Sequence, residues 1–278
     1  MLLGSNYALL AIGYTLVFGV VRLLTLAHGQ VFMASGVAFV LGLRLLGLPL
    51  AAAIVLGLAA GVLGGVLTDV LCFRPVSRES EIGPAVATIG LAIAVQEAVV
   101  IWRGSNPIGL PLEFETVNLR LAGIRISVVQ LVALLVSVLL MLAIHLFVNR
   151  TMWGAALRAT GEDPSAVQLV GIDPKRVATL ALVVSGLIAG AASVLLALRV
   201  GSVSPFYGFE AGLVGLAIIA VAGLGSLTGA MVVGVALGVG ETFASRYGLG
   251  GFESTVPWIL VIVVLLVRPE GLFGASRQ

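Results

Sequence analysis

From Ser127 to Val148 the chain runs through twenty-two residues whose only titratable side chain is His145. An apolar run of 18 or more residues with few charges reads as a helix crossing a bilayer, where every backbone N–H and C=O must be satisfied within the segment. Several such runs follow one another. Spans are expected near 3–21, 31–48, 50–73, 83–102, 127–148, 177–198, 211–225, 227–245 and 255–268. The run at 31–48 is the weakest, because Arg44 interrupts it and glycine is frequent. Only the Gly-Leu-Gly-Ser-Leu-Thr-Gly turn (223–229) divides the last pieces, so the count is eight to ten, some of them half-helices.

Composition points the same way. Of 278 residues 10% are charged and 60% hydrophobic, and the mean hydropathy is +1.18. Soluble chains carry about 25% charged residues. The alternating short strands of a membrane β-barrel are not seen. The expected fold class is an all-α polytopic membrane protein, a bundle of about 8–10 transmembrane helices forming one domain over 1–278. The single cysteine, Cys72, excludes a disulfide framework or a cysteine metal cluster within the chain and reads as apolar filler. The opening MLLGSNY has no basic stretch and does not look like a cleaved signal peptide. A net charge of +2 says little about partners, and no nucleic-acid partner is expected.

The distribution of charge says more. Arg22, Arg74, Arg78, Arg150, Arg158, Lys175, Arg176 and Arg268 fall on one side of a nine-span map, and Arg103, Arg120, Arg125, Arg199 and Arg246 on the other. The richer side is assigned to the cytoplasm. The segment 150–176 is then a cytoplasmic loop, and 103–126 an extracytoplasmic loop with the alternation of a small hairpin. Gly57, Gly61 and Gly65 recur every fourth residue, as do Gly234 and Gly238, with Gly240 nearby. That spacing lets helix backbones approach closely. Both halves end in a glycine-rich hairpin, which raises an internal duplication without a residue-by-residue repeat.

Within the loop, Arg158 to Arg176 carries six charges in nineteen residues. Thr151 to Thr160 suits a short helix that Gly161 breaks. Asp163-Pro164 starts a second, since Asp is a good N-cap and Pro fits the first helical turn. Ala166, Val167, Leu169 and Val170 give it an apolar stripe, Gly171 suits the position just past its end, and Asp173-Pro174 starts the next span. Such a punctuated helix pair suits a groove on a partner. An interfacial helix on lipid, helped by Arg158 and Arg176, is the alternative.

Polar groups at membrane depth need reasons, because a charge there costs about 2.5 kcal/mol or more. Asp69 is expected to pair with Arg74 or reach the interface. Glu97, beside Gln96, is either a packing contact or a lining of a path. Glu241 is expected to bond a neighbouring helix. His28, between Ala27 and Gly29, is expected to hold a non-helical break by a hydrogen bond. His145 and the three tryptophans, Trp102, Trp153 and Trp258, fit the interfaces. The single lysine, Lys175, follows a proline, so the phosphate-cradling GxxxxGK[ST] pattern is impossible. No catalytic set or metal spacing is apparent.

Three stretches carry a resemblance. Thr151, Gly154, Arg158, Ala159, Glu162, Asp163, Ala166, Leu169, Gly171 and Ile172 resemble the cytoplasmic loop of branched-chain amino acid ABC transporter permeases, a family related to ribose-type sugar permeases. GYTLVFGVVRLLTLAHG (13–29) is similar to that family's first span and its Ala-His-Gly turn. GLGSLTGAMVVGVALGVGE (223–241) and LLVRPEGLFG (265–274) resemble its C-terminal signature. Glu97 is a departure, since the family often has an amide there. The start is another, since the family carries a turn or more before its first span.

The resemblance implies an inner-membrane permease subunit, the shorter of two types that pair, moving branched-chain or other small neutral amino acids. It implies separate ATPase subunits, seated on the ten loop residues, which bind ATP and Mg; a second permease; and an extracytoplasmic binding protein. No cofactor is expected in this chain. A path is placed at His28, Gly29, Gln96 and Glu97. Relatives that carry urea or amides keep that substrate open. A stand-alone secondary transporter or channel, coupled through Glu97 and His28, is the rival class.

Overall fold

The computed structural model describes residues 2–76, 82–111, 118–121, 124–247 and 255–274. Its helices are α1 (Leu2–Val21), α2 (Ala27–Arg44), α3 (Leu50–Thr68, extended by a π-helical turn, Asp69–Phe73), α4 (Ile82–Arg103), α5 (Val128–Arg150), α6 (Met152–Glu162), α7 (Pro164–Leu169), α8 (Pro174–Val200), α9 (Tyr207–Ala222), α10 (Leu227–Arg246) and α11 (Val256–Val267). Six of these, α1, α3 with its turn, α4, α5, α8 and α10, are long and apolar enough to cross a membrane. With α2, α9 and α11, which fall short of that length or apolarity, they coincide with the nine expected segments one for one among the described residues, in an all-α polytopic membrane protein. Four short strands complete the described structure: β1 (Ile108–Gly109) pairs antiparallel with β4 (Ser202–Val203), and β2 (Asn118–Leu121) with β3 (Ile124–Ser127). The second pair is the small hairpin expected in 103–126.

The weak span moves. It was expected at 31–48, yet α2 starts four residues earlier and ends at Arg44. The Ala-His-Gly triplet is therefore the first turn of a helix, not a loop. Residues 22–26 carry the chain back into the bundle, and α2 begins beside the middle of α1: an added Cβ at Gly13 would run into the His28 ring. Gly13 lies eight residues before Val21, so α2 starts about 12 Å inside the end of α1. Irregular backbone at such depth is tolerated only where protein surrounds it. Here Thr25 is buried, and the Leu26 N–H reaches the buried Thr88 hydroxyl of α4 at 3.3 Å.

The same device recurs upside down. After α8, residues 201–206 turn back inward, and Val203 comes to lie beside Gly36 of α2 and Ser193 of α8. Then α9 starts at depth, with Gly208 and Gly212 against Gly29. The glycine ladders follow the same symmetry. Gly57, Gly61 and Gly65 of α3 pack on α8, where a Cβ on Gly61 would strike the Gly186 carbonyl, and one on Gly65 the Leu182 carbonyl. Gly234 and Gly238 of α10 pack on Ala8 and Gly4 of α1, while Gly240 faces open space. Thus α1–α2–α3–α4 and α8–α9–α10–α11 are inverted copies of one packing scheme, with α1 and α8 at the centre. The duplication lives in packing and not in residue identities.

One side of the bundle is cross-braced. Asp69 is 2% exposed, and its carboxylate meets Arg74 Nη2 at 3.0 Å. The Thr179 hydroxyl of α8 donates to the same oxygen at 2.6 Å. The Arg74 N–H closes the π turn on the Asp69 carbonyl at 2.9 Å. At the same end the C-terminal segment returns, with the N–H groups of Leu272 and Phe273 donating to Val221 and Ala222 at 2.8 and 2.9 Å. Gly223, at φ 96, makes this turn possible: its position is pressed against Gly271 and Gly274.

Candidate functional site

Two regions gather the expected site residues. The first is the 150–176 loop. Thr151 ends α5 and starts α6: its hydroxyl donates to the Phe147 carbonyl at 2.6 Å and accepts from the Gly154 N–H at 3.0 Å. Gly154 is buried with its Cα against the carbonyls of Phe147 and Val148, so no side chain fits there. Arg158 donates to the Val148 carbonyl. Contrary to the expected break, α6 runs through Gly161 to Glu162. Gly161 serves close approach: it sits against the Gly19 carbonyl of α1. The guanidinium Nε of Arg22, just past α1, then donates to the Gly161 carbonyl at 2.7 Å. Arg22 is the one non-glycine residue with positive φ among the described residues, at 58°. A non-glycine residue in this region carries a backbone penalty, so the clasp holds it there.

The second helix of the loop follows the sequence closely. The Asp163 carboxylate accepts from the Ser165 and Ala166 N–H groups at 2.8 and 3.0 Å, capping α7. Asp173 does the same for α8 through the Lys175 N–H at 2.9 Å. Gly171, at φ 80, lets the chain reverse between them, and the Ile172 N–H returns to the Val167 carbonyl at 3.0 Å. The expected apolar stripe divides in two. Val167 is buried against the bundle, whereas Ala166, Leu169 and Val170 face outward, Leu169 at 89% exposure. Met152 and Trp153 on α6 are exposed as well. Glu162 is exposed and Ala159 half-buried. The result is a stiff helix pair, fixed to α1, α5 and α8, with apolar groups on its free side.

The second region is the expected path. It does not form one cluster. His28 and Gly29 are buried where α1, α2, α8 and α9 meet. Ser185 of α8 donates to the Gly13 carbonyl at 3.0 Å and lies 3.0 Å from His28 Nδ1. Tyr14 stands edge-on to the imidazole, with ring centroids 4.6 Å apart. His28 thus lies within the first turn of α2, not in the non-helical break expected for it, and faces Ser185 of α8. Gln96 of α4 accepts from Gln30 Nε2 at 3.0 Å and so faces inward. Glu97, one residue on, faces outward and is exposed. The packing contact weighed for it is not found among the described residues. Glu241 meets the Tyr7 hydroxyl of α1, tying α10 to α1.

Sequence reading missed Arg22, Thr179 and Ser185. Only Arg22 left a signal, as a basic residue directly after a span. Thr179 and Ser185 are ordinary small polar residues whose partners lie more than a hundred positions away.

A family model described as "Branched-chain amino acid transport system / permease component" matches residues 1–267. The Pseudomonas aeruginosa high-affinity branched-chain amino acid transport system permease protein BraD is 33% identical over 98% of this chain and 92% of its own length. The permease protein LivH of the corresponding Salmonella typhimurium system is 34% identical over the same shares. LivM of Escherichia coli is similar over less, 30% identical across 55% of this chain and 36% of LivM. The match over residues 1–267 and the identity across nearly the whole chain show that this chain belongs to the branched-chain amino acid transport permease family.

Proposed function

We propose that this chain is the membrane-spanning subunit of an ATP-driven importer for branched-chain or other small neutral amino acids, located in the inner membrane. Separate ATPase subunits bind ATP and Mg and seat on the cytoplasmic face of α6 and α7. A second permease completes the passage, and an extracytoplasmic binding protein delivers the solute. The observation that carries this reading is the rigid loop. Its helix pair is capped at Thr151 and Asp163, clasped to α1 by Arg22, and presents Met152, Trp153, Leu169 and Val170 outward. A push on such a pair moves α1, α5 and α8 together, whereas a floppy loop would absorb it. In this scheme Glu97, on the outward side of α4, borders the passage, Gln96 is turned inward to Gln30, and His28 and Gly29 hold the two re-entrant helices.

The test is uptake in proteoliposomes. The chain with its ATPases, second permease and binding protein should accumulate leucine on addition of ATP. Leu169→Asp should leave the complex inserted and cut ATP-dependent uptake at least tenfold. Accumulation by this chain alone, without ATP, would overturn the reading in favour of a secondary transporter.

A further inference from the structure

At the end of the bundle opposite the 150–176 loop, the neighbouring helices α2 and α4 each finish on an arginine, Arg44 and Arg103. A cleft of about 590 Å³ opens there, with Leu43, Arg44, Leu45, Arg103, Asn106 and Ile108 in its walls. The fold builds it from distant parts of the chain. Gly104, at φ 81, turns the backbone out of α4. The short strands then hold the following segment in place: Ile108 pairs with Val203, and the Leu110 N–H donates to the Gly201 carbonyl at 2.8 Å.

The charge of the cleft is unanswered. Neither arginine has an ion pair among the described residues, and none of those lining the cleft is acidic. Arg103 Nε is buried with no hydrogen-bond partner among the described residues, and a buried donor in that state costs free energy until an acceptor arrives. A guanidinium presents its N–H groups as a fork that matches a phosphate. The surroundings are apolar. Leu45 and Leu46, after Arg44, are 57% and 66% exposed, and Ile101 and Trp102, before Arg103, are 83% and 62% exposed. The Arg103 guanidinium carbon lies 4.9 Å from the Trp102 ring centroid, a cation on an aromatic of the kind that gathers at headgroup level. An acidic loop of a soluble partner would answer the arginines and leave these apolar groups in water. A phospholipid answers both.

We propose that the Arg44–Arg103 cleft binds one anionic phospholipid, its phosphate between the two guanidiniums and the Asn106 amide, its acyl chains along Leu45, Ile101 and Trp102. A net negative headgroup is favoured over a zwitterionic one, because the latter brings its own cation to a site that already holds two. The bound lipid ties the end of the re-entrant helix α2 to α4. The proposal needs only that the chain spans a bilayer and stands apart from the importer reading.

The test reads Trp102, after Trp153→Phe and Trp258→Phe remove the other two tryptophans. The full chain is reconstituted in phosphatidylcholine vesicles with a graded share of acyl-brominated phosphatidylglycerol or acyl-brominated phosphatidylcholine, whose bromines quench an indole on contact. The brominated phosphatidylglycerol should quench at a roughly tenfold lower share, from the attraction of two nearby arginines. Arg44→Gln with Arg103→Gln should bring the two lipids level. Asn106→Glu, which sets a carboxylate in the cleft and keeps both arginines, should do the same and decides the matter if the double variant fails to insert. Arg176→Gln, at the far end of the bundle, should keep the preference. Equal quenching by the two lipids, or a preference that survives both sets of substitutions, would overturn the proposal. So would a preference that inorganic phosphate abolishes, since the cleft would then take a free anion. Residues 112–117 lie outside the described structure and include Glu113 and Glu115. A preference that emerges only with Glu113→Gln and Glu115→Gln would show the chain's own carboxylates filling the cleft, and would overturn the proposal too.

Discussion

A buried carboxylate survives in a membrane bundle only when its neighbours satisfy it. Asp69 has two, Arg74 from its own helix and Thr179 from α8. Losing a hydrogen-bond partner of a buried acceptor costs about 1–3 kcal/mol. Thr179→Val should therefore lower the thermal midpoint of the detergent-solubilised chain, read by light scattering or size exclusion after heating. Val86→Ala, on an exposed face of α4, should leave it unchanged. The Asp69–Arg74 half of this site was legible because the two residues sit five apart. The Thr179 half was not, because nothing local marks which of many threonines will meet a carboxylate 110 positions away. Glycine behaves similarly. The spacing of Gly57, Gly61 and Gly65 announced a close helix contact but not its partner. Against Gly186 the fit admits no side chain, so Gly61→Leu should overpack the seam by about 1–3 kcal/mol or more and sharply reduce folded protein on a size-exclusion trace.

At the level of elements, local chemistry was readable where it is self-contained. Asp163-Pro164 and Asp173-Pro174 start helices as their residue types dictate, because an N-cap is a contact within three residues. Asp163→Ala should cost about 0.5–2 kcal/mol of local helix stability. Its stronger effect should be on coupling, with ATP hydrolysis of the assembled complex persisting while uptake falls. Measuring both rates in one proteoliposome preparation checks this. Gly161 shows the limit of local rules. Taken alone, glycine breaks a helix; beside the Gly19 carbonyl it is the one residue that lets α6 lie on α1. The start of α2 misled for a related reason. His28 and Gln30 look like loop residues, yet Ser185 and Gln96 receive them inside the bundle.

For the whole molecule, hydropathy was enough to place nine apolar segments and their order, but not to tell the six helices long and apolar enough to cross a membrane from the shorter or more polar α2, α9 and α11. The inverted pairing of α1–α4 with α8–α11 was beyond it. Packing symmetry needs small residues at equivalent depths and not equal letters, so Gly61 on Gly186 corresponds to Gly238 on Gly4 with no repeat in the text of the chain. At this scale Glu97→Gln should leave ATP-driven uptake within about twofold, because in the importer reading energy enters through the 150–176 loop and not through a titrating carboxylate on α4. Direct comparison of leucine uptake rates would check that, and a loss beyond tenfold would point to a coupling carboxylate instead. The meeting of Gly29 with Gly208 and Gly212 has one more consequence. Two truncated helices butt together, main chain on main chain, at the very level where a hole through one protomer would have to run. A copy inserted alone should therefore be stoppered: vesicles holding it should keep a proton gradient as long as empty ones.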